Sequence, residues 1–97
     1  MDFNTEITYS IEQDEFRKEV SAWLNEHSQI PGEFGRPRET GDMSQELYMW
    51  VREYRRKLGE KGWLAPLWPV EYGGGGLGVD MAQVLEEELS KRGIPAI

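Results

Sequence analysis

The fold is decided by residues 58–78, which read LGEKGWLAPLWPVEYGGGGLG. Helix-like sequence lies on both sides of this stretch, but its prolines and glycines forbid a continuous helix through it. A solvated spacer would be polar, whereas this stretch contains two tryptophans and a tyrosine, and each aromatic side chain offers roughly 150–250 Å² of surface to bury. We therefore interpret residues 58–78, the joint, as a packed hinge that fixes the angle between two helices.

The glycines of the joint, residues 73–78, match the pattern Gly-x-Gly-x-x-Gly of dinucleotide-binding loops. That pattern binds phosphate only between a buried strand and a helix, inside a βαβ unit. Here Pro66, Trp68 and Pro69 come before the glycines, and such residues suit turns rather than a central parallel strand. We therefore expect the glycines to provide turns with positive φ and close backbone approach, with phosphate binding as the minor alternative.

Composition indicates one small, acidic, soluble domain. The chain has 97 residues, of which 38% are hydrophobic and 30% charged, with no cysteine and one histidine. No apolar run is long enough for a membrane helix and no secretory signal is visible, so a cytoplasmic protein without disulfides is expected. The net charge of −7 argues against a nucleic-acid surface, which needs clustered lysine and arginine. One histidine and no cysteine argue against a transition-metal site.

A first helix is predicted over residues 10–27. Ser10 and Gln13 form a capping-box pattern, and acidic residues crowd the first turn, where the helix dipole favours negative charge. Apolar and aromatic side chains then recur at helical spacing and mark one face: Phe16, Val20, Trp23, Leu24 and His27. His27 is expected to end that face and not to be a catalytic base, because no nucleophile lies near it in sequence.

A second helix is predicted over residues 44–61, capped by Ser44 or by Asp42. Its apolar stripe consists of Leu47, Val51, Tyr54 and Leu58. Gly62 is expected at the left-handed position after the helix, and Trp63 is expected to fold back onto the last turn in a Schellman-type contact.

A third helix is predicted over residues 80–92, opened by a capping pattern of Asp80 and Gln83. Its apolar side consists of Met81, Val84, Leu85 and Leu89. Residues 86–88 are three consecutive glutamates, so at least one of them must lie near the apolar edge. We expect that carboxylate to pair with an arginine such as Arg52 or Arg92 rather than to act as an acid or base.

Strand signals are nearly absent, so the predicted fold class is all-α: a small bundle of three main helices with long irregular connectors. Residues 1–9 are expected to form an extended arm and residues 10–97 a helical domain. The connector 28–42 has three glycines and two prolines and should be tethered by Ile30 and Phe34. Because the sequence stops on an apolar tail, the domain is expected to continue beyond residue 97.

One basic cluster, Arg52, Arg55, Arg56 and Lys57, interrupts the acidic sequence. We interpret it as a solvated helix face paired with Glu53 and Glu60. A contact with phosphate or with an acidic partner is the alternative.

Three segments resemble the amino-terminal helical domain of the acyl-CoA dehydrogenase family: LGEKGW at 58–63, WPVEYGG at 68–74, and EEEL at 86–89 followed by GIP at 93–95. The segment 16–24 is similar to the first helix of that family. The resemblance spans about residues 10–97, and WPVEYGG with the Gly-Trp before it is its most specific part. The connector 28–42 has no clear counterpart in the family pattern.

The resemblance implies that this chain is one domain of an oligomeric flavoprotein with further β and helical domains. Such enzymes oxidise an acyl-CoA thioester to the 2,3-enoyl-CoA in fatty acid metabolism: a carboxylate removes the α-proton, FAD accepts the β-hydride, and an electron-transfer flavoprotein takes the electrons. Because the catalytic base and most flavin contacts lie in later domains of the family, no catalytic or cofactor-binding residue is assigned here, and no FAD is expected to bind this chain alone.

The resemblance also implies that the domain helps to wall the acyl pocket and supports assembly, and is inactive alone. Together with the aromatic content of the joint, it predicts that five residues lie at the interface with substrate or with the remaining domains: Trp63, Trp68, Tyr72, Gly73 and Gly74. The alternative function is a stand-alone helical module that self-associates or binds a partner through exposed aromatic side chains.

Overall fold

The structure, a computed structural model, describes residues 9–34 and 43–94. These residues form three α-helices, α1 (Ile11–His27), α2 (Gln45–Glu60) and α3 (Val79–Arg92). Two short 3₁₀ turns, Gly32–Phe34 and Val70–Tyr72, lie between them, and no strand occurs within the described ranges. The predicted all-α fold with irregular connectors is confirmed.

Helix α1 begins with the predicted capping box. The Ser10 hydroxyl accepts a hydrogen bond from the Gln13 backbone at 3.0 Å, and the Gln13 side chain accepts one from the Ser10 backbone at 2.9 Å. Two orphan amides of the first turn are thereby satisfied. The helix then packs closely against α3 and buries Val20 and Leu24 completely.

Helix α2 reaches the α1–α3 pair through large side chains. All four residues of its predicted stripe are buried, Leu47, Val51, Tyr54 and Leu58, and Tyr54 lies 6.4 Å from Trp23 of α1 between ring centroids. The central core joins all three helices to the joint and consists of Val20, Leu24, Tyr54, Leu58, Trp63 and Leu85. The core therefore lies where the joint leaves α2.

The predicted cap of α3 is wrong. Gly78, and not Asp80, is the N-cap residue, with φ −78° and ψ 170°, and it has no side chain to cap the helix. Asp80 already lies in the first turn, and its carbonyl accepts a bond from the Gln13 side chain at 3.1 Å. Leu77, the residue before Gly78, donates a backbone hydrogen bond to the Pro66 carbonyl at 2.9 Å. This bond fixes the chain at that point, so the helix can begin directly after Gly78.

Several predictions fall partly outside the described residues. Of the predicted arm 1–9 only Tyr9 is described, and residues 35–42 of the connector, including the alternative cap Asp42, and 95–97 of the tail lie outside the described ranges. The two predicted tethers of the connector, Ile30 and Phe34, are both half-buried. None of the helices in the described part of the chain is long and apolar enough to cross a membrane.

Candidate domain interface

The joint begins with a Schellman motif, as predicted. The amide of Trp63 donates to the Leu58 carbonyl at 2.9 Å and that of Gly62 donates to the Gly59 carbonyl at 3.0 Å. Gly62 has the left-handed φ of 79° that this motif requires. The turn directs Trp63 back into the molecule, where only 6% of it is exposed.

Trp63 is held by aromatic neighbours on α1. Its ring meets Trp23 edge to face, with centroids 5.3 Å apart, and meets Phe16 in the same way at 6.4 Å. Edge-to-face pairs of this kind add to the stabilisation that burial itself gives. The Lys61 ammonium lies 5.1 Å above the same indole, so the outer side of Trp63 is covered by a cation. Trp63 therefore anchors the joint to the helices.

Backbone hydrogen bonds within the joint hold the rest of it in shape. The amides of residues 73–77 all donate to carbonyls of the preceding turns, at 2.8–3.1 Å: Gly73 to Val70, Gly74 to Pro69, Gly75 to Ala65, Gly76 to Trp68 and Leu77 to Pro66. A phosphate-binding loop needs such amides free to point at the ligand. The glycine run therefore does not form a phosphate cradle, and it does not fit the pyrophosphate of FAD.

The glycines are required for space as much as for conformation. A Cβ on Gly74 would lie 2.2 Å from the Trp68 carbonyl oxygen, and one on Gly62 would lie 2.6 Å from the Gly74 carbonyl oxygen. Gly73 and Gly76 have positive φ angles of 82° and 62°. Both predicted uses of the glycines, close approach and left-handed turns, are confirmed.

The outer part of the joint presents apolar side chains to solvent. Trp68 is 61% exposed and Tyr72 74% exposed, and Leu64, Leu67 and Val70 are exposed as well. The interpretation of the joint as a packed hinge is therefore right for the side chain of Trp63 and wrong for the side chains of Trp68 and Tyr72. The physical reason is that the joint closes on itself through its backbone, which leaves these two rings outside. We call these five exposed side chains the apolar patch.

A groove runs beside the patch, between the joint and α3. It consists of two concavities of about 310 and 280 Å³, which share Trp63 and Leu89. The first is bordered by Arg55 and the second by Glu86. Neither of these charged residues forms an ion pair within the described residues, and both are exposed. The groove is thus apolar along its floor and carries one cation and one anion at its border.

Two of the three consecutive glutamates of α3, Glu87 and Glu88, are ion-paired. Glu88 is buried and receives hydrogen bonds from Arg17 at 2.6 Å and Lys91 at 2.8 Å. Burial alone would raise the pKa of Glu88, but the bonds from Lys91 and Arg17 outweigh it and hold that pKa below its ordinary value. Hydrogen bonds from Arg17 and Tyr9 likewise lower the pKa of Glu87. Carboxylates stabilised in this way are poor proton acceptors.

The partner predicted for these glutamates was only partly right. Arg92 lies 3.9 Å from Glu88, at the limit of an ion pair, while Arg52 forms none within the described residues. The main partner is Arg17 of α1, which bridges Glu87 and Glu88 and stacks on the Tyr9 ring at 4.7 Å. Arg17 lies on the same side of α1 as Val20 and Leu24, one residue after Phe16, and that position was the signal that could have identified it.

The structure also locates the basic cluster and His27. Arg56 of the basic cluster pairs with Glu53 and Glu60 on the exposed face of α2, as the solvated-face interpretation requires. His27 stacks on Trp23 with centroids 4.1 Å apart, and its Nδ1 lies 2.8 Å from the Trp23 carbonyl. No group of three metal-ligating side chains occurs in the described ranges.

Comparison with known proteins gives one match. The model of the family described as acyl-CoA dehydrogenase, N-terminal domain, matches residues 10–97. No curated protein and no solved structure matches the chain. The matched range contains all three helices, the joint, the apolar patch and the groove.

Proposed function

Because the chain belongs to the acyl-CoA dehydrogenase family, through the N-terminal domain of that family, we propose that it is the helical domain of an FAD-dependent enzyme. The parent enzyme oxidises an acyl-CoA thioester to the 2,3-enoyl-CoA and passes the electrons to an electron-transfer flavoprotein, in fatty acid metabolism. The observation that carries this proposal is the family match over residues 10–97, and the exposed apolar patch supports it.

The proposed role of this domain is to help wall the acyl pocket and to support assembly of the parent enzyme. An apolar patch of five exposed side chains on one short segment is typical of an interface rather than of a free surface. Trp68 and Tyr72 project from the joint, and Gly73 and Gly74 fix the backbone between them and α3. In the proposal, Trp68 and Tyr72 contact the remaining domains or the acyl chain, while Trp63 supports them from the core.

The redox chemistry belongs to the rest of the parent enzyme. FAD would accept the hydride there, and the glycine run of this chain does not fit its pyrophosphate, because the amides of residues 73–77 are already bonded within the joint. The ion-paired Glu87 and Glu88 are likewise unsuited to remove a proton. The chain alone is therefore proposed to be inactive.

Location and assembly complete the proposal. The absence of cysteine favours a cytoplasmic protein, since a reducing compartment does not support disulfides. The net charge of −7 disfavours nucleic acid as a partner. A homo-oligomeric parent enzyme is expected from the family.

The proposal is tested on the native protein. An antibody raised against residues 43–94 is used to isolate the natural gene product, whose length and visible absorption are then measured. We expect a flavoprotein several times longer than this chain, because the complete enzymes of the family have further domains. We also expect acyl-CoA to bleach the visible absorption of its flavin. A native product of 97 residues without flavin would overturn the proposal and favour the stand-alone interaction module.

The isolated chain provides the companion experiment. It is incubated with FAD, acyl-CoA and an artificial electron acceptor, and acceptor reduction is followed. No reduction above the protein-free control is expected. Turnover by the chain alone would show that catalytic residues lie within it.

A further inference from the structure

Four oxidisable aromatic rings follow one another through the core without a gap. Trp63 and Trp23 meet edge to face, with ring centroids 5.3 Å apart. Trp23 lies 6.4 Å from Tyr54, and Tyr54 stacks on Trp50 at 5.4 Å with 10° between the ring planes. All three distances are those of aromatic rings in contact. We call these four rings the aromatic path, which leads from the joint through α1 to α2.

The aromatic path has one buried end and one end at the surface. Trp63 is only 6% exposed and lies at the groove, where it borders both concavities. Trp50 is half-buried and borders a different concavity, of about 480 Å³, together with Phe34 and Met49. The path therefore connects the floor of the groove with a separate part of the surface.

Charges of opposite sign lie at the two ends. The Lys61 ammonium is 5.1 Å above the Trp63 ring, whereas Glu46 lines the same concavity as Trp50. Neither charge is paired within the described residues. A cation disfavours positive charge on a neighbouring ring and an anion favours it. A positive charge formed at Trp63 is thus favoured to move towards Trp50.

Each ring of the aromatic path can give up one electron. Tryptophan and tyrosine are the most readily oxidised aromatic side chains, and the protein has no cysteine to compete with them. Oxidation of a phenol also releases its proton, and the Tyr54 hydroxyl shares a hydrogen bond of 2.7 Å with the Ser28 hydroxyl. Ser28 is therefore placed to hold that proton while Tyr54 is oxidised and to return it afterwards.

We propose that the aromatic path carries oxidising equivalents out of the core, from the groove to the surface at Trp50. A one-electron oxidant in the groove, of the oxygen-radical class, takes one electron from Trp63 and is reduced. Trp23, Tyr54 and Trp50 then each pass one electron inward in turn, so that Trp50 is left oxidised and loses its indole proton to water.

A soluble one-electron reductant, a thiol or ascorbate, restores Trp50 by giving it one electron, and water returns the proton. One electron thus passes from the reductant to the oxidant, and the core rings are left unmodified. This path is a property of the chain itself and does not depend on the activity proposed for the parent enzyme.

A photo-oxidant attached beside Trp63 tests the path. Because the protein has no cysteine, Leu64→Cys can be labelled at a single site with a ruthenium polypyridyl complex. Leu64 is 46% exposed and lines the same concavity as Trp63. Trp68→Phe in the same protein removes the exposed tryptophan of the joint as a competing target. Illumination with a soluble electron acceptor oxidises the complex, and mass spectrometry then locates the oxidised side chains.

We expect the stable oxidation product at Trp50, and ascorbate should suppress it. Tyr54→Phe keeps a ring in place but interrupts the path, so oxidation at Trp50 should be lost and should appear at Trp63 and Trp23 instead. Trp50→Phe should leave the radical on Tyr54, where transient absorption distinguishes a phenoxyl from an indolyl radical.

Tyr48→Phe is the matched control, since Tyr48 lies on the same helix but contacts no other ring within the described residues. It should leave oxidation at Trp50 unchanged. Circular dichroism establishes that each variant keeps its helices. Oxidation that stays at Trp63 in the labelled protein overturns the proposal. So does oxidation of Trp50 that Tyr54→Phe does not reduce, because the oxidant then reaches Trp50 without the path.

Discussion

At the scale of single residues, Gly62 and Gly74 show how little space separates the two ends of the joint. A Cβ on Gly62 would lie only 2.6 Å from the carbonyl oxygen of Gly74, and a Cβ on Gly74 only 2.2 Å from the carbonyl oxygen of Trp68. Gly73 is required for its conformation and not for space. Its φ of 82° is left-handed, but a Cβ built on it would have no neighbouring atom within 4 Å. Neighbouring glycines in one run therefore serve different physical purposes.

This difference gives a graded prediction for substitution by alanine. Gly73→Ala should cost about 1 kcal/mol of the free energy of unfolding, through conformation alone. Gly74→Ala should cost about 2–3 kcal/mol through overpacking alone, and Gly62→Ala, which combines both effects, about 3–4 kcal/mol. Urea denaturation of the three variants measures the order. Gly32→Ala, with open space around it, is the near-neutral control, and equal costs at all three sites would contradict the analysis.

At the scale of elements, the contact between α1 and α3 depends on a buried carboxylate as well as on apolar packing. Glu88 of α3 is only 3% exposed and meets Arg17 of α1 at 2.6 Å. Removing one partner of such a pair leaves the other charge without compensation, which costs more than the pair gains. The two helices are therefore joined by an interaction that depends on ionisation.

Acidification should weaken this contact. The pKa of Glu88 is lowered in the folded state from its ordinary value of 4.5, so its contribution is fully present above that value and is lost as the pH falls through the lower folded pKa. Glu88→Gln should destabilise the chain by about 1–2 kcal/mol at neutral pH. The difference between variant and wild type should shrink as the pH falls below the ordinary value and through the lower folded pKa of Glu88. Thermal unfolding across this range measures the difference, and a pH-independent difference would exclude the ionised pair.

Helix positions could be predicted from the sequence, but not all of their ends and partners. Ser10, Ser44 and Gly62 are local signals, and the structure confirms each of them. The start of α3 depends instead on the backbone bond between Leu77 and Pro66, which no capping pattern encodes. The sequence places Arg17 on the apolar side of α1, but its partner Glu87 lies 70 positions away, so spacing along one helix could not identify the pair.

At the scale of the whole molecule, the joint divides its aromatic residues between the core and the surface. The Schellman turn sends Trp63 inward among Phe16 and Trp23, and the turn Val70–Tyr72 leaves Trp68 and Tyr72 outside. The sequence predicts the inward direction of Trp63 from the Schellman motif, but not the outward direction of Trp68 and Tyr72, because that direction depends on backbone hydrogen bonds between distant parts of the joint. The role of the five residues Trp63, Trp68, Tyr72, Gly73 and Gly74 at an interface with substrate or with the remaining domains stays a prediction.

The division predicts unequal effects of two tryptophan substitutions. Trp63→Ala should cost about 3–5 kcal/mol, since it empties a packed site in the core, whereas Trp68→Ala should change the free energy of unfolding by no more than about 0.5 kcal/mol. Urea denaturation followed by circular dichroism measures both. Equal destabilisation by the two substitutions would mean that Trp68 is packed in the same way as Trp63.

The central claim is that the joint is a folded element held by its own backbone bonds, and amide hydrogen exchange followed by NMR tests it most directly. The amides of Gly75, Gly76 and Leu77 should exchange at least about 100-fold more slowly than those of an unstructured chain, because each donates to a carbonyl across the joint. Exchange of these three amides at the unstructured rate, with α1 and α3 still protected, would contradict the claim and make the joint a flexible linker.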